Sequence, residues 1–303
     1  FVGRIAEDTV VVSSAIRPTN PEIVRAEELG VPVIHRSDAL ATLMEGKRTI
    51  AIAGTHGKTT TTSMTTVALQ AAGKDPSFAI GGQLSKTGVN AHAGSGDVFI
   101  AEADESDGSF LKYRPEVGVM TNAEADHLDH YGSWERVREA FVEFGSHVGN
   151  VGGTLIVCAD DEGAASIGRE ARQQGTKVIF YGESDNADAR VKASTHGQGV
   201  SVSIALEGQE YAFDIALPGT YNALNATAAF LSARAVGADP QGIIQGLESF
   251  TGTRRRFELR GTEKGVRVYD DYAHHPTEVT ALLTAANKAV SYTHLTLPTT
   301  PYV

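Results

Sequence analysis

Two hydrophobic periods alternate along the chain. Short apolar runs rich in β-branched residues, closed by glycine or polar turns, predict strands at 9–13 (TVVVS), 32–35 (VPVI), 48–53 (RTIAIA), 97–102 (DVFIAE), 117–121 (VGVMT) and 154–158 (TLIVC). Apolar residues spaced by three and four predict helices near 21–29, 37–45, 60–72, 134–147, 161–174, 221–236, 239–249 and 276–289. Strand followed by helix, repeated, is the rhythm of a parallel sheet. From 189 to 216 the pattern changes to alternating runs (VKAST, VSVSIAL, YAFDIAL), which predict antiparallel strands added to the α/β core. Residues 258–270 read as two strands around Glu263-Lys264-Gly265.

Composition narrows the class. The chain has 303 residues, with 26 Lys and Arg against 37 Asp and Glu, a net charge of −11. That length predicts two or more domains. An acidic balance argues against a nucleic-acid partner, because backbone phosphates require a concentrated basic face. No apolar run approaches the ~20 residues of a membrane span, so no membrane partner is expected. The single cysteine, Cys158, supports neither an internal disulfide nor a thiolate zinc site. The first residues lack a basic segment followed by an apolar one, so no signal peptide is predicted and a cytoplasmic location is expected.

Between the strand at 48–53 and the next helix stands Gly54-Thr55-His56-Gly57-Lys58-Thr59, followed by Thr60. Glycines there let backbone N–H groups turn inward, the helix N-terminus adds its positive dipole end, Lys58 supplies a point charge and Thr59 a hydroxyl for Mg2+. Its spacing, G-x-x-G-K-T, is shorter than the general phosphate loop because residue 52 is Ile. The combination predicts ATP binding. Downstream, Ala101-Glu102-Ala103-Asp104-Glu105-Ser106-Asp107 puts four carboxylates at the end of a strand, the edge where open α/β sheets collect ligands. Glu102, last in the apolar run, is best placed to reach Mg2+, which prefers hard oxygen donors. His127, between Asp126 and Asp129 after the following strand, is either a metal ligand or polar surface. Asp271 and His274, in DDYAHHP, can meet a transferring phosphoryl group or an amine, or can cap a helix beside an exposed His pair. Arg254, Arg255 and Arg256 are either a phosphate clamp or a solvated linker. Spacing alone therefore gives an ATP- and magnesium-dependent phosphoryl-transfer enzyme whose acceptor stays open.

The ordered set GTHGKTTTTSM, EADESDGSFL, TNAEADHLDHY, YNALNATAA, GTRRRFE and DDYAHHPTE resembles the Mur ligase family of peptidoglycan synthesis. The resemblance implies an α/β fold in which a parallel-sheet P-loop ATPase domain at 47–252 is flanked by partial Rossmann-like domains. Residues 1–46 would be the last part of a UDP-binding domain, and 253–290 the start of an amino-acid-binding domain. Residues 291–303 lose the helical pattern and are expected to be a non-native tail. The implied cofactors are ATP and Mg2+. The implied partners are UDP-N-acetylmuramate, whose lactyl carboxylate is activated as an acyl phosphate, and an amino acid whose amine then attacks it. Ser106, where a tripeptide-recycling relative tends to carry tyrosine, and the GTRRRFE hinge favour L-alanine as that amino acid. By the same resemblance Lys58 holds the β- and γ-phosphates, and Thr59, Glu102 and His127 ligate metal. Asn222 and Asn225 face the adenine and nearby phosphates, with Tyr221 where histidine is more usual, and Arg255 and Arg256 reach the nucleotide across the hinge. Asp271 lies near the γ-phosphate, and Tyr272 and His274 near the amino acid. Ser13, Ser14, Gly82, Gln83 and Asn90 receive the muramyl substrate.

Overall fold

The structure is a computed structural model and describes residues 9–197, 199–289 and 293–296. The opening residues 1–8, residue 290 and most of the expected tail, 291–292 and 297–303, lie outside the described residues. A small N-terminal unit pairs β1 (Val10–Val12) in parallel with β2 (Val33–His35) and carries α1 (Pro21–Glu28) and α2 (Arg36–Met44). α1 starts where it does because the Asn20 side chain accepts from Glu22 N and Pro21 occupies the first turn, where its missing N–H costs nothing.

The central unit runs β3 (Arg48–Ala53), α3 (Lys58–Ala71), β4 (Ser77–Ala79), β5 (Ala91–His92), β6 (Val98–Glu102), β7 (Val117–Met120), α4 (Leu128–Tyr131), α5 (Trp134–Asn150), β8 (Thr154–Cys158) and α6 (Glu162–Gln173). It continues through β9 (Lys177–Gly182), β10 (Ala189–His196), β11 (Gly199–Leu206), β12 (Gln209–Ile215), α7 (Tyr221–Ala235) and α8 (Pro240–Glu248). Among the described residues these strands form one sheet in the order β12-β11-β10-β9-β8-β7-β3-β6-β4-β5. The strands from β10 to β4 in that order are parallel, while β11, β12 and β5 pair antiparallel at the two edges. A hairpin of β13 (Glu258–Glu263) and β14 (Val266–Asp270), followed by α9 (Pro276–Ala289), closes the described chain.

Parallel strands must be covered on both faces, and two apolar clusters do this. One packs Met64, Leu69, Phe230 and Leu247 of α3, α7 and α8 against one face. The other packs Phe110, Phe141, Phe144 and Ile167 against the opposite face. α3 is buried almost all round despite its run of threonines. Thr62, Thr65 and Thr66 satisfy their hydroxyls by donating to the carbonyls of Lys58, Thr61 and Thr62 one turn back.

The expected α/β class and the antiparallel additions are present. β4, β5, β9 and the single turn α4 were not expected, and α3 begins at Lys58 rather than Thr60. That earlier start brings Lys58 and Thr59 into the helix's first turn, where their N–H groups point outward unpaired.

Candidate nucleotide site

The sheet order reverses at β3. Chain connections lead from β3 outward to β4 and back to β6 on one side, then across to β7 on the other. Ligands collect at such a switch point, outside the carboxyl ends of the strands. Here the loop after β3 meets the loops after β6 and β7.

Gly54 and Gly57 are required by both backbone and space. Gly54 has φ +133°, and a Cβ there would stand 2.1 Å from Thr121 Oγ1; Gly57 has φ +81°, and a Cβ would lie 2.7 Å from Asn225 Oδ1. The loop is pinned from the β7 side. His56 N donates to Asn122 Oδ1 at 2.7 Å, Thr121 Oγ1 donates to the His56 carbonyl at 2.6 Å, and Glu124 N donates to Thr55 Oγ1 at 3.0 Å.

Lys58 Nζ donates to Gly54 O at 2.7 Å and to Glu105 at 2.8 and 2.9 Å. Glu105 is only 2% exposed, and burial raises its pKa even against the pull of the Lys58 charge. Thr59 Oγ1 donates to Glu102 Oε1 at 2.9 Å, and Gly81 N donates to Glu102 Oε2 at 2.7 Å. The Glu102 carboxylate and the Thr59 hydroxyl are thus already in contact, a pair of hard oxygens suited to Mg2+. His127 takes a left-handed conformation, with Nε2 3.7 Å from Glu105 Oε1 and 3.8 Å from Asp126 Oδ2.

A cavity of ≈ 270 Å³ opens beside the loop, walled by Thr60, Tyr221, Asn222, Asn225, Arg256 and Asp271 among others. The two asparagines brace each other: Asn225 Nδ2 donates to Asn222 Oδ1, and Thr61 Oγ1 donates to Asn225 Oδ1. Burial and the nearby Asp271 charge push Tyr221 up to about 12, so it stays a neutral hydroxyl. Asp271 accepts from Phe257 N at 2.6 Å and Ala273 N at 2.7 Å, and burial raises its pKa. Tyr272 is half exposed, with the Arg255 and Arg256 guanidinium carbons 4.7 and 5.6 Å from its ring centre.

The residues expected to meet the muramyl substrate are not among those that wall this cavity. Ser14 Oγ donates to Asp107 at 2.8 Å, while Ser13 is half-buried with its carbonyl accepting from Ile16 N. Gly82 packs against the Thr59 methyl, and a Cβ there would stand 2.9 Å from it. Gln83 accepts from Arg254 through both its side chain and its carbonyl, each at 2.8 Å. Arg254 is therefore engaged with Gln83 rather than with Arg255 and Arg256. Asn90 is exposed, its carbonyl accepting from Ile80 N.

His274 is not brought to the loop. Its side chain is exposed and its Nδ1 lies 3.0 Å from the Tyr272 carbonyl. The neighbouring His275 comes to the loop instead, its ring 4.6 Å from that of His56. Sequence reasoning also passed over Glu105, Asn122, Glu124 and Glu278. Glu105 stood within the acidic run, but only its burial marks it out from Asp104 and Asp107. Glu278 lies 3.3 Å from His56 Nδ1 and 3.6 Å from Arg256. Although burial raises its pKa, the His56 and backbone His274 hydrogen bonds and the His56 and Arg256 charges outweigh that and hold it at about 2.

Comparison with known proteins finds one family along nearly the whole chain. The profile of the Mur ligase middle domain matches residues 52–233, that of the Mur ligase glutamate ligase domain matches 255–297, and that of the Mur ligase family catalytic domain matches 1–48. The chain is 53% identical, over 279 residues, to a UDP-N-acetylmuramate–L-alanine ligase of Paenarthrobacter aurescens, covering 92% of this chain and 60% of that protein. It thus spans about three fifths of the length of that curated relative. Among solved structures, the UDP-N-acetylmuramate-alanine ligase of Thermotoga maritima superposes with a TM-score of 0.80 at 30% identity, over 94% of this chain and 65% of that one. A UDP-N-acetylmuramate:L-alanyl-gamma-D-glutamyl-meso-diaminopimelate ligase from Neisseria meningitides gives 0.70 at 26%, over 82% and 80%. Matched along its middle, its two flanks and its overall fold, the chain belongs to the Mur ligase family.

Proposed function

We propose that this chain is the catalytic core of an enzyme that uses ATP and Mg2+ to join L-alanine to the lactyl carboxylate of UDP-N-acetylmuramate. The observation that carries the reading is the Lys58–Thr59–Glu102 cluster at the switch point of the sheet. It supplies a cation for phosphate and a hydroxyl–carboxylate pair for a divalent ion, beside a cavity large enough to hold part of a nucleotide. The choice of L-alanine rests on similarity to the alanine-adding relative.

A carboxylate is a poor acyl donor until a good leaving group is installed, and phosphorylation by ATP supplies one. Lys58 and the N-terminal N–H groups of α3 bind the β- and γ-phosphates, while Thr59 and Glu102, with His127 as a further ligand, would hold Mg2+, whose charge would offset that developing on the phosphoryl group. Thr55, Gly54, Gly57 and Thr60 shape the cradle, while Asn222, Asn225, Arg255 and Arg256 orient the nucleotide. Ser13, Ser14, Gly82, Gln83 and Asn90 hold the muramyl side. Asp271, fixed by two backbone N–H groups, faces the phosphoryl end, with Tyr272 and His274 on the amino-acid side. The enzyme's contribution is positioning and charge neutralisation.

The test is ADP release by a protein spanning the relatives' full length, given UDP-N-acetylmuramate while the amino acid is varied. Stimulation by L-alanine is expected. Stimulation by a murein tripeptide and not by L-alanine would transfer the reading to a recycling ligase. A stable phosphorylated product without an amide bond would make the protein a kinase.

A further inference from the structure

His56, Glu124 and His275 converge from three separate segments: the phosphate loop, the loop after β7, and the residue before α9. One ligand atom from each lies within 4.8 Å of the others. His56 Nε2 is 3.7 Å from Glu124 Oε2, and His275 Nδ1 is 3.9 Å from the same oxygen. The His56 side chain is 13% exposed, and its Nε2 is buried without a hydrogen-bond partner. A buried ring nitrogen left unsatisfied is uncommon and calls for a partner that the protein itself does not supply.

The surroundings are those of a metal ligand set. Glu278 Oε1 lies 3.3 Å from His56 Nδ1, the kind of carboxylate contact that keeps a ligating histidine's proton on one ring nitrogen and leaves the other for a metal. Thr277 Oγ1 donates to Glu124 Oε2 at 2.9 Å and orients that carboxylate. The competing contact at His275 Nδ1, from Thr277 N, is a long 3.4 Å. In a tetrahedral site with bonds of about 2.1 Å, ligand atoms stand roughly 3.4 Å apart, so the 3.7 and 3.9 Å contacts to Glu124 are already near that spacing. Glu124 and Glu278 also make the pocket favourable for a cation.

We propose that His56, Glu124 and His275 form a binding site for a borderline divalent transition ion of the Zn2+ class, separate from the Thr59–Glu102 pair. Two imidazoles and one carboxylate suit Zn2+ or Co2+, whereas Mg2+ is better served by a site richer in oxygen, such as Thr59 and Glu102. The ion ties the phosphate loop to the start of α9, closing the C-terminal segment onto the rim of the cavity. The site is defined without nucleotide and does not depend on the ligase reading.

The experiment titrates the metal-stripped 303-residue chain with Zn2+ by calorimetry, without nucleotide and in excess Mg2+. One Zn2+ per chain is expected, with binding weakened at least about tenfold in both His275→Ala and Glu124→Gln and about tenfold in Glu278→Gln. His92→Ala, at an exposed His–Asp pair elsewhere, should bind as the parent does. Unaltered Zn2+ affinity in His275→Ala and Glu124→Gln overturns the proposal. A readout needing no variant is the Co2+-loaded parent chain, in which two paramagnetically shifted imidazole resonances are expected; none or one overturns the proposal.

Discussion

Glu105→Gln separates the resting state of the loop from its loaded state. Lys58 now spends its charge on a carboxylate 2.8 Å away, and must leave it to reach a phosphate. The gross attraction at that distance is about 6 kcal/mol at an effective dielectric of 20. Most of it is offset by desolvation, leaving roughly 1.5–3 kcal/mol for a hydrogen bond between charged groups. Lys58 keeps its bonds to the Gly54 and Thr55 carbonyls in the variant, so the lower end applies. Nucleotide should therefore bind about tenfold more tightly to Glu105→Gln. Calorimetry with ADP in the absence of magnesium measures this without involving the metal ligands. The fold should tolerate the change. A carboxyl whose folded pKa is raised destabilises the fold as pH rises past its unfolded value, and glutamine removes that charge. Unchanged or weaker ADP binding would refute the view that Glu105 competes with phosphate for Lys58.

Three further outcomes are expected. Gly81→Ala puts a Cβ 2.7 Å from Glu102 Oε1, so the magnesium concentration for half-maximal nucleotide binding should rise about tenfold, with metal-free ADP binding unchanged. Burial tends to raise the Asp107 pKa, but hydrogen bonds from Ser109 and Ser14 and the Arg36 charge outweigh it and hold it at about 2. Its stabilisation is fully present above its unfolded pKa and fades as pH falls through about 2. After allowance for solvent screening it is worth about 1 kcal/mol, so Asp107→Asn should flatten the acid limb of the stability profile below pH ~4. Phe230→Ala, at a fully buried position of α7, should cost about 3–5 kcal/mol in denaturant unfolding; a loss under 1 kcal/mol would contradict the packing described.

The fold was legible wherever a segment's period matched its length. RTIAIA and TLIVC are long enough to declare themselves, and the YAFDIAL alternation marks an edge strand with one wet face. β4 and β5 have three and two residues, too few for any period to register; β4 is paired by β6 beside it, and β5 in turn by β4. β9 (KVIFYG) is as apolar as its neighbours but sits between a helix end and a polar turn. Its strand character is completed by β8, which it matches residue for residue from Lys177 to Tyr181. α9 shows the limit at finer scale. Sequence cannot choose between adjacent histidines, because the choice depends on the angle at which the chain enters the helix at Pro276. That entry sends His275 to the loop and His274 to solvent.

The site divides along the same line. GTHGKT is contiguous, so the loop is readable as a unit, and Glu102 stands out because it ends a buried strand. What sequence could not supply is which strand ends are neighbours. β6 and β7 both pair with β3, matching Glu102 to Ile52 and Met120 to Ala53, so both following loops emerge level with Gly54. With strands about 4.8 Å apart, each lies within one side-chain length of the phosphate loop. Had β7 been placed one strand further out, Asn122 and Glu124 could not have pinned His56 and Thr55, and the loop would have lost its fixed shape. Convergence of three strand ends, rather than the glycine motif alone, gives this strand-to-helix turn its fixed shape.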